Sequence, residues 1–354
     1  MNLDDLSLLQ KIDTQNMLGE IDRLPDQLQS AWELGQQLPL PSASKFSNVV
    51  IAGMGGSAIG ADLLSAYAAP ACPVPVLVHR DYGLPAFARG RETLVVCSSH
   101  SGNTEETLSA FEAAMANGCT LLAVTTGGQL AERAAAADVP VWKFVHAGQP
   151  RAAVGFSFGL LLALFARLGL VPDPTRELVE AVAGMKSQQE ALRPEVAVVQ
   201  NPAKRAAGQY MGRWVTVIAS GTLAPVARRW KGQINEVAKA GANFESLPEA
   251  DHNTLAGLLN PEETLANNTM TVFLRSPSDH PRNLLRSDVT RQTYMLEGLN
   301  TDFYTAKGDS PLAQIWTALH YGDYTAYYLA LAYGVDPTPV AALESFKAQL
   351  KVVK

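Results

Sequence analysis

Residues 97–107, "CSSHSGNTEET", hold more hydroxyl groups than a loop requires. A helix opening near Glu105 and Glu106 needs one side chain as its cap, for instance Asn103 or Thr104, and its first turn already favours carboxylates. Ser99, Ser101 and Thr104 together exceed that task. Neutral hydroxyls and the N–H groups of a helix start suit a dianionic monophosphate, because they bond it without burying fixed charge. A second stretch, "GMGGSAIG" at 53–60, puts Ser57 at another helix start, as a cap or as a phosphate ligand. Gly53 and Gly55 also open the dinucleotide pattern G-x-G-x-x-G. Ala58 stands at its third glycine, however, and Asp81, the acid for a ribose diol, is crowded by His79 and Arg80. The Lys-Ser/Thr of a triphosphate loop is absent. Two hydroxyl-bearing helix starts on adjacent strands favour phosphate binding over plain turns.

The elements that position these loops follow from periodicity. "SNVVIAGMGG", "VPVLVHRDYG", "TLVVCSSHSG", "CTLLAVTTGG" and "VPVWKFV" read as strands separated by helices, which predicts a parallel sheet covered on both faces. Ligands of such sheets sit beyond the carboxyl ends of the strands, where both loops fall. Residues 5–36 read as helices, with Leu28, Ala31 and Trp32 at helical spacing and Pro25 in a first turn. "AAVGFSFGLLLALFARLGL" is the longest apolar run. Ser157, Arg167 and three glycines mark it as a buried core helix rather than a membrane span. "DPTRELVEAVAGMKSQQEAL" is a connecting helix. A second unit then echoes the first: "RWVTVIASG" as strand, "TLAPVARRWKGQINEVAKAG" as helix, and "NTMTVFLRSPSDHP" as a strand running into serines. The pattern reads as a divergent duplication. The tail gives one helix, a proline turn and a last short helix.

The expected division is a helical extension at 1–44 packed on the first domain, a first α/β domain at 45–170, a connector at 171–205 and a second domain at 206–354. A chain of 354 residues exceeds one typical core. Its net charge of -6 argues against a nucleic-acid surface. Cys72, Cys97 and Cys119 have neither metal-ligand nor disulfide-framework spacing, and the acidic N-terminus is not a signal peptide. These features predict a cytoplasmic protein with no metal, no cofactor and no membrane partner.

"GMGGSAIGADL" with "SSHSGNTEETL" resembles the sugar isomerase (SIS) domain, a phosphosugar-binding family. "RRWKGQINEVAKAGANFESLPEADHN", "QPRAAVGFSFG" and "GVDPTPVAALESFKAQL" extend the resemblance to the bifunctional phosphoglucose/phosphomannose isomerases, over about residues 45–350. The resemblance implies an α/β fold of two SIS-type domains, each a mostly parallel sheet flanked by helices. It also implies a metal-independent aldose–ketose isomerase. Gly56, Ser57, Ser99, Ser101 and Thr104 would hold the sugar phosphate. Glu236 would be the base, His252 the ring-opening group, Arg151 the cation beside the reacting oxygens, and Lys347 a further active-site residue. A homodimer is implied, with His252 serving the partner's pocket. His100 stands where an aromatic or small residue is expected, and its ring should point away from the phosphate.

The chemistry asks for these residue types. One carboxylate can move a proton between C1 and C2 of an open-chain sugar, and burial brings a carboxyl group toward neutral pH. Imidazole titrates in the range needed to open the ring. A fixed cation lowers the barrier where O1 and O2 gain charge. Each residue also has a plainer reading. Glu236 could be a surface helix glutamate beside Lys239, His252 a loop histidine, Arg151 a surface arginine at a helix start, and Lys347 a solvated tail lysine alongside Lys351 and Lys354. The competing functions are a non-catalytic phosphosugar sensor, a dinucleotide oxidoreductase, and an amidotransferase-type isomerase. The first lacks the basic N-terminal segment of a DNA reader, the second is opposed by Ala58, and the third lacks a cysteine near residue 2. Thr338 is the candidate for deciding which C2 epimer is accepted.

Overall fold

The computed structural model describes residues 2–42 and 45–350. Three helices come first, α1 (Leu6–Ile12), α2 (Met17–Asp22) and α3 (Leu24–Gln37). The first α/β unit follows as β1 (Asn48–Ala52), α4 (Gly55–Ala68), β2 (Val76–His79), β3 (Thr93–Ser99), α5 (Glu105–Ala116), β4 (Thr120–Thr125), α6 (Gly128–Ala136), β5 (Val141–Lys143) and α7 (Val154–Arg167). Helices α8 (Thr175–Leu192) and α9 (Pro202–Tyr210) lead to the second unit. That unit runs β6 (Trp214–Ser220), α10 (Ala224–Glu236), β7 (Ala242–Leu247), α11 (Glu262–Asn268), β8 (Thr269–Arg275), α12 (Pro281–Leu296), β9 (Thr301–Thr305), α13 (Pro311–Tyr333) and α14 (Ala341–Leu350).

Both sheets are wholly parallel. The first has the order β2-β1-β3-β4-β5 and the second β7-β6-β8-β9. The second order repeats the first four strands of the other sheet, so the echo read in the sequence is a repeat of topology. Central strand β3 is buried at every residue, as continuous apolar strands of covered parallel sheets are. The two sheets share their main core, because one apolar cluster runs from Leu3 through both to Ala332, while each sheet has a smaller cluster of its own on the other face. Helix α13 carries that continuity, with residues 312–332 all buried. Helix α7 is buried from Val154 to Phe165 apart from the half-exposed Phe156. The expected core helix is therefore present, and among the described residues no helix is long and apolar enough to cross a membrane. The N-terminal helices reach α7 closely: a Cβ added at Gly159 would stand 2.7 Å from the Ala31 Cβ.

Several elements differ from the sequence reading. The helix expected over 222–241 ends at Glu236 and gives way to β7. That strand, β9, α9 and α12 have no counterpart in the sequence reading. Strands β7 and β9 are edge strands with mixed burial, so they lack both the continuous apolar run of β3 and a clean alternation. Helix α12 exposes Leu285, Val289 and Leu296, which blurs its apolar face.

Candidate active site

Loops β1–α4 and β3–α5 lie side by side beyond the carboxyl ends of adjacent strands. Ser57 is buried within the first turn of α4, and its Oγ accepts the His100 N–H at 3.3 Å. It is therefore not the cap; Met54 holds that position and offers no side-chain bond. Ser99 Oγ lies 2.9 Å from Thr104 Oγ1 and accepts the Gly102 N–H at 3.1 Å. Ser101 is exposed, and its Oγ accepts the Asn103 N–H at 3.2 Å. Neither Thr104 nor Asn103 caps α5, contrary to the sequence reading. Thr104 is at the cap position without a side-chain bond, while Asn103 Oδ1 accepts from Gln129 N–H on α6. Helices α4 and α5 thus begin without side-chain caps among the described residues, with four hydroxyls beside them. Their N–H groups and dipoles suit an anion.

Gly56 sets the next contact. A Cβ there would meet the Pro150 carbonyl oxygen at 2.4 Å and the Arg151 nitrogen at 3.2 Å, so only glycine lets this loop touch the turn that carries Arg151. Arg151 is 4% exposed, which excludes the surface reading. Its Nη2 donates to the carbonyls of Pro337 (3.0 Å) and Thr338, and its Nη1 stands 3.8 Å from Glu236 Oε2. Burial lowers the guanidinium pKa, Glu236 opposes that, and Arg229 adds to it. Arg151 Nε and Thr338 Oγ1 are buried without a hydrogen-bond partner among the described residues.

Glu236 closes α10, and its side chain is 36% exposed. Arg229, one heptad earlier on the same face, forms a two-point buried pair with Asp323 of α13, at 3.1 and 2.8 Å. Removing one partner of such a pair costs about 3–5 kcal/mol, so this anchor fixes the direction of α10 and with it Glu236.

Lys239 has no signal in residue spacing that marks it, yet it completes this centre. Its backbone is left-handed at φ 53°. Its ammonium donates to the carbonyls of Val237 (3.1 Å) and Asp336 (2.6 Å). Burial and then the nearby Arg151 lower its pKa to about 8. Carbonyls 336, 337 and 338 of one proline turn are thus held by two cations from the two halves of the chain.

Two predicted residues are not brought to this centre within the chain. His252 is exposed beyond the carboxyl end of β7, and its side chain makes no hydrogen bond to the described residues. Glu236 precedes the amino end of β7. The six-residue strand, roughly 20 Å at about 3.3 Å per residue, therefore lies between them. Lys347 is exposed on α14, a helix with no buried residue. Lys351 and Lys354 lie outside the described residues. His100 does turn away from the hydroxyl loop, toward His146 at 2.9 Å and Phe144. Among the described residues no three His, Cys, Asp or Glu side chains cluster as a metal set, and the three cysteines are unpaired.

Compared with known proteins, the chain matches the bacterial phospho-glucose isomerase C-terminal SIS domain over residues 199–350. The bifunctional phosphoglucose/phosphomannose isomerase of Caldicellulosiruptor bescii is 40% identical over 96% of this chain and 100% of its own length. The enzyme of the same name from Aquifex aeolicus is 36% identical over 86% and 91%. Among solved structures, a glucose-6-phosphate isomerase like protein from Thermus thermophilus superposes with a TM-score of 0.64 at 20% identity, covering 97% of this chain and 99% of that one. This last likeness is one of fold.

Proposed function

The chain belongs to the bifunctional phosphoglucose/phosphomannose isomerase family, and from that premise we propose that it interconverts glucose 6-phosphate and mannose 6-phosphate with fructose 6-phosphate. The observation that carries the reading is the approach of Arg151 to Glu236 at 3.8 Å, next to the glycine of a hydroxyl-lined helix start. Gly56, Ser57, Ser99, Ser101 and Thr104 grip the phosphate with N–H and O–H donors. The Glu236 carboxylate takes the proton from C1 or C2 and returns it to the neighbouring carbon, while the hydroxyl proton passes between O2 and O1. Arg151 faces the enediolate oxygens, where charge develops. Thr338, whose hydroxyl is buried beside Arg151, is suited to sense the configuration at C2.

His252 opens the sugar ring in the same proposal. The strand separating it from Glu236 within one chain supports its delivery by a second copy, hence a homodimer. Lys347 assists at the ring hydroxyl, or holds the phosphate or a sugar hydroxyl. The domain limits at residues 44, 170 and 205 and a cytoplasmic location belong to this reading too. A proton-transfer route through Glu236 calls for no metal.

The test is a coupled assay with fructose 6-phosphate and separate readouts for glucose 6-phosphate and mannose 6-phosphate, with and without chelator. Both products should form at rates the chelator leaves unchanged. Binding of fructose 6-phosphate with no turnover would make the chain a phosphosugar sensor instead.

A further inference from the structure

The N-terminal helical layer and its first turn touch the centre at three places, through residues that have no part in the proton chemistry. Thr14 Oγ1 donates to the Asp336 carboxylate, on the turn held by Arg151 and Lys239. Buried Gln27 donates to the Ala152 carbonyl at 3.0 Å and accepts the N–H groups of Gly155 (2.7 Å) and Phe156 (3.3 Å), just past Arg151. The third contact runs furthest. Glu20 Oε2 lies 3.1 Å from His146 Nε2, and His146 Nδ1 lies 2.9 Å from His100 Nε2. His100 is the residue whose main-chain N–H donates to Ser57 Oγ, and its carbonyl accepts from the Thr126 N–H (3.1 Å) and Oγ1 (2.7 Å).

The direction of this chain follows from its end. A carboxylate only accepts, so a neutral His146 carries its proton on Nε2 and offers Nδ1 as acceptor. His100 must then donate from Nε2. Burial and the neighbouring His146 lower the His100 pKa to about 4, which keeps this ring neutral near pH 7. Arg23 Nη2 donates to the other Glu20 oxygen at 2.6 Å. Phe144 and Phe156 pack edge-on against the two imidazoles, and a Cβ at Gly148 would stand 2.9 Å from His146 Cε1. Two neutral rings have one fitting pair of tautomers here and little room to turn.

We infer that Glu20, acting through His146 and His100, is a positioning residue for the phosphate grip, and that the N-terminal helical layer is part of the substrate-binding machinery. The inference rests on the phosphate role of the Ser57 and Ser99 loops. Without the chain, the His100 ring loses its orientation and the N–H aimed at Ser57 Oγ loses its fix, while Glu236 is untouched. The loss falls on binding of the phosphate handle, which is the same in ground and transition states. It therefore appears in KM rather than kcat.

The experiment compares full-length E20Q, H146F and H100F with the parent protein. It measures kcat and KM for fructose 6-phosphate, inhibition by inorganic phosphate, melting temperature and imidazole nitrogen NMR. H100F keeps an aromatic ring and removes the ring nitrogens, and its melting temperature shows whether the bulkier ring is tolerated, so it remains informative if H146F folds poorly. KM and the phosphate inhibition constant should rise together by about 5- to 10-fold in H146F and H100F, the scale of one hydrogen bond, with kcat within about twofold. E20Q should show the smaller rise and mixed His146 tautomers, since an amide can donate or accept. With both rings neutral, the two histidines of the parent should be Nε2–H tautomers. Unmoved KM and phosphate inhibition in folded variants, or a neutral parent His146 with its proton on Nδ1, would overturn the inference. A parent protein that neither binds inorganic phosphate nor turns over fructose 6-phosphate would overturn the phosphate reading and this one with it.

Discussion

The loops at the strand ends of the two sheets are built alike and satisfied differently. In the first unit, among the described residues, the side chains of Ser57, Ser99, Ser101 and Thr104 bond only one another and loop N–H groups, and neither α4 nor α5 has a side-chain cap. In the second unit the matching positions are filled from within. Ser220 Oγ donates to Asp279 Oδ2 at 2.7 Å, Ser276 Oγ donates to Gln314 Oε1, and His280 Nδ1 caps α12 at the Arg282 N–H. A Cβ at Gly221 would stand 2.5 Å from Asp279 Oδ1, so this carboxylate sits where the first unit has room for an anion. A duplicated strand–turn–helix supplies donors in both units. What separates a binding loop from a structural one is whether the protein provides the acceptor itself. The second unit instead contributes Glu236 and Lys239, at the far end of its own sheet and beside Arg151 of the first.

The sharpest way to break this division is Glu236→Gln. If the second unit supplies the base and the first the grip, kcat should fall about 10³-fold while calorimetric binding of fructose 6-phosphate changes little. A collapse of binding would mean that the grip spans both units. Arg151→Met should follow, with kcat down about 10²-fold and a lower melting temperature, because the buried guanidinium also holds carbonyls 337 and 338. Smaller still, Ser99→Ala should raise KM about tenfold with kcat retained, as loss of one hydrogen bond to a charged group does. Its counterpart Asp279→Ala should lower stability by about 1–3 kcal/mol in denaturant titrations and leave KM alone. A KM rise from Asp279→Ala would erase the contrast between the loops.

The smallest effect is a contrast of sign with pH. The His100 pKa, lowered to about 4 from 6.5, makes the unfolded chain bind more protons between those values. Stability is therefore lost as pH falls through that window, and His100→Phe should flatten the loss. Burial raises the Asp279 carboxyl pKa against the pull of Ser220. Here the folded state binds more protons, so stability falls as pH rises from the ordinary carboxylate range through the raised value, and Asp279→Asn should remove that slope. Melting temperatures across pH 4–8 read both.

The first sheet was legible because covered parallel strands are continuous apolar runs, "VVIA" and "LLAV" among them, punctuated by glycine and serine. The hydroxyl surplus around Ser99 was legible for the same reason: its excess over one cap is a local count. Edge strands β7 and β9 were not, since partial exposure removes their period. Asp279 was equally hidden, because "SPSDHP" has the same look as a loop of free donors until the carboxylate is seen bonded to Ser220.

The sequence by itself determined the repeated strand–helix alternation, the two helix starts rich in donors, and the residue types able to carry a proton. Those properties are local, fixed by side-chain periodicity and by backbone conformation over a few residues. Only the tertiary structure decided that Arg151 meets Glu236, that Lys239 joins them, and that His252 stays a strand's length away. Such contacts join segments from opposite halves of the chain through α13 and the Arg229–Asp323 pair. They depend on how whole helices pack, and residue spacing along one segment carries no record of that.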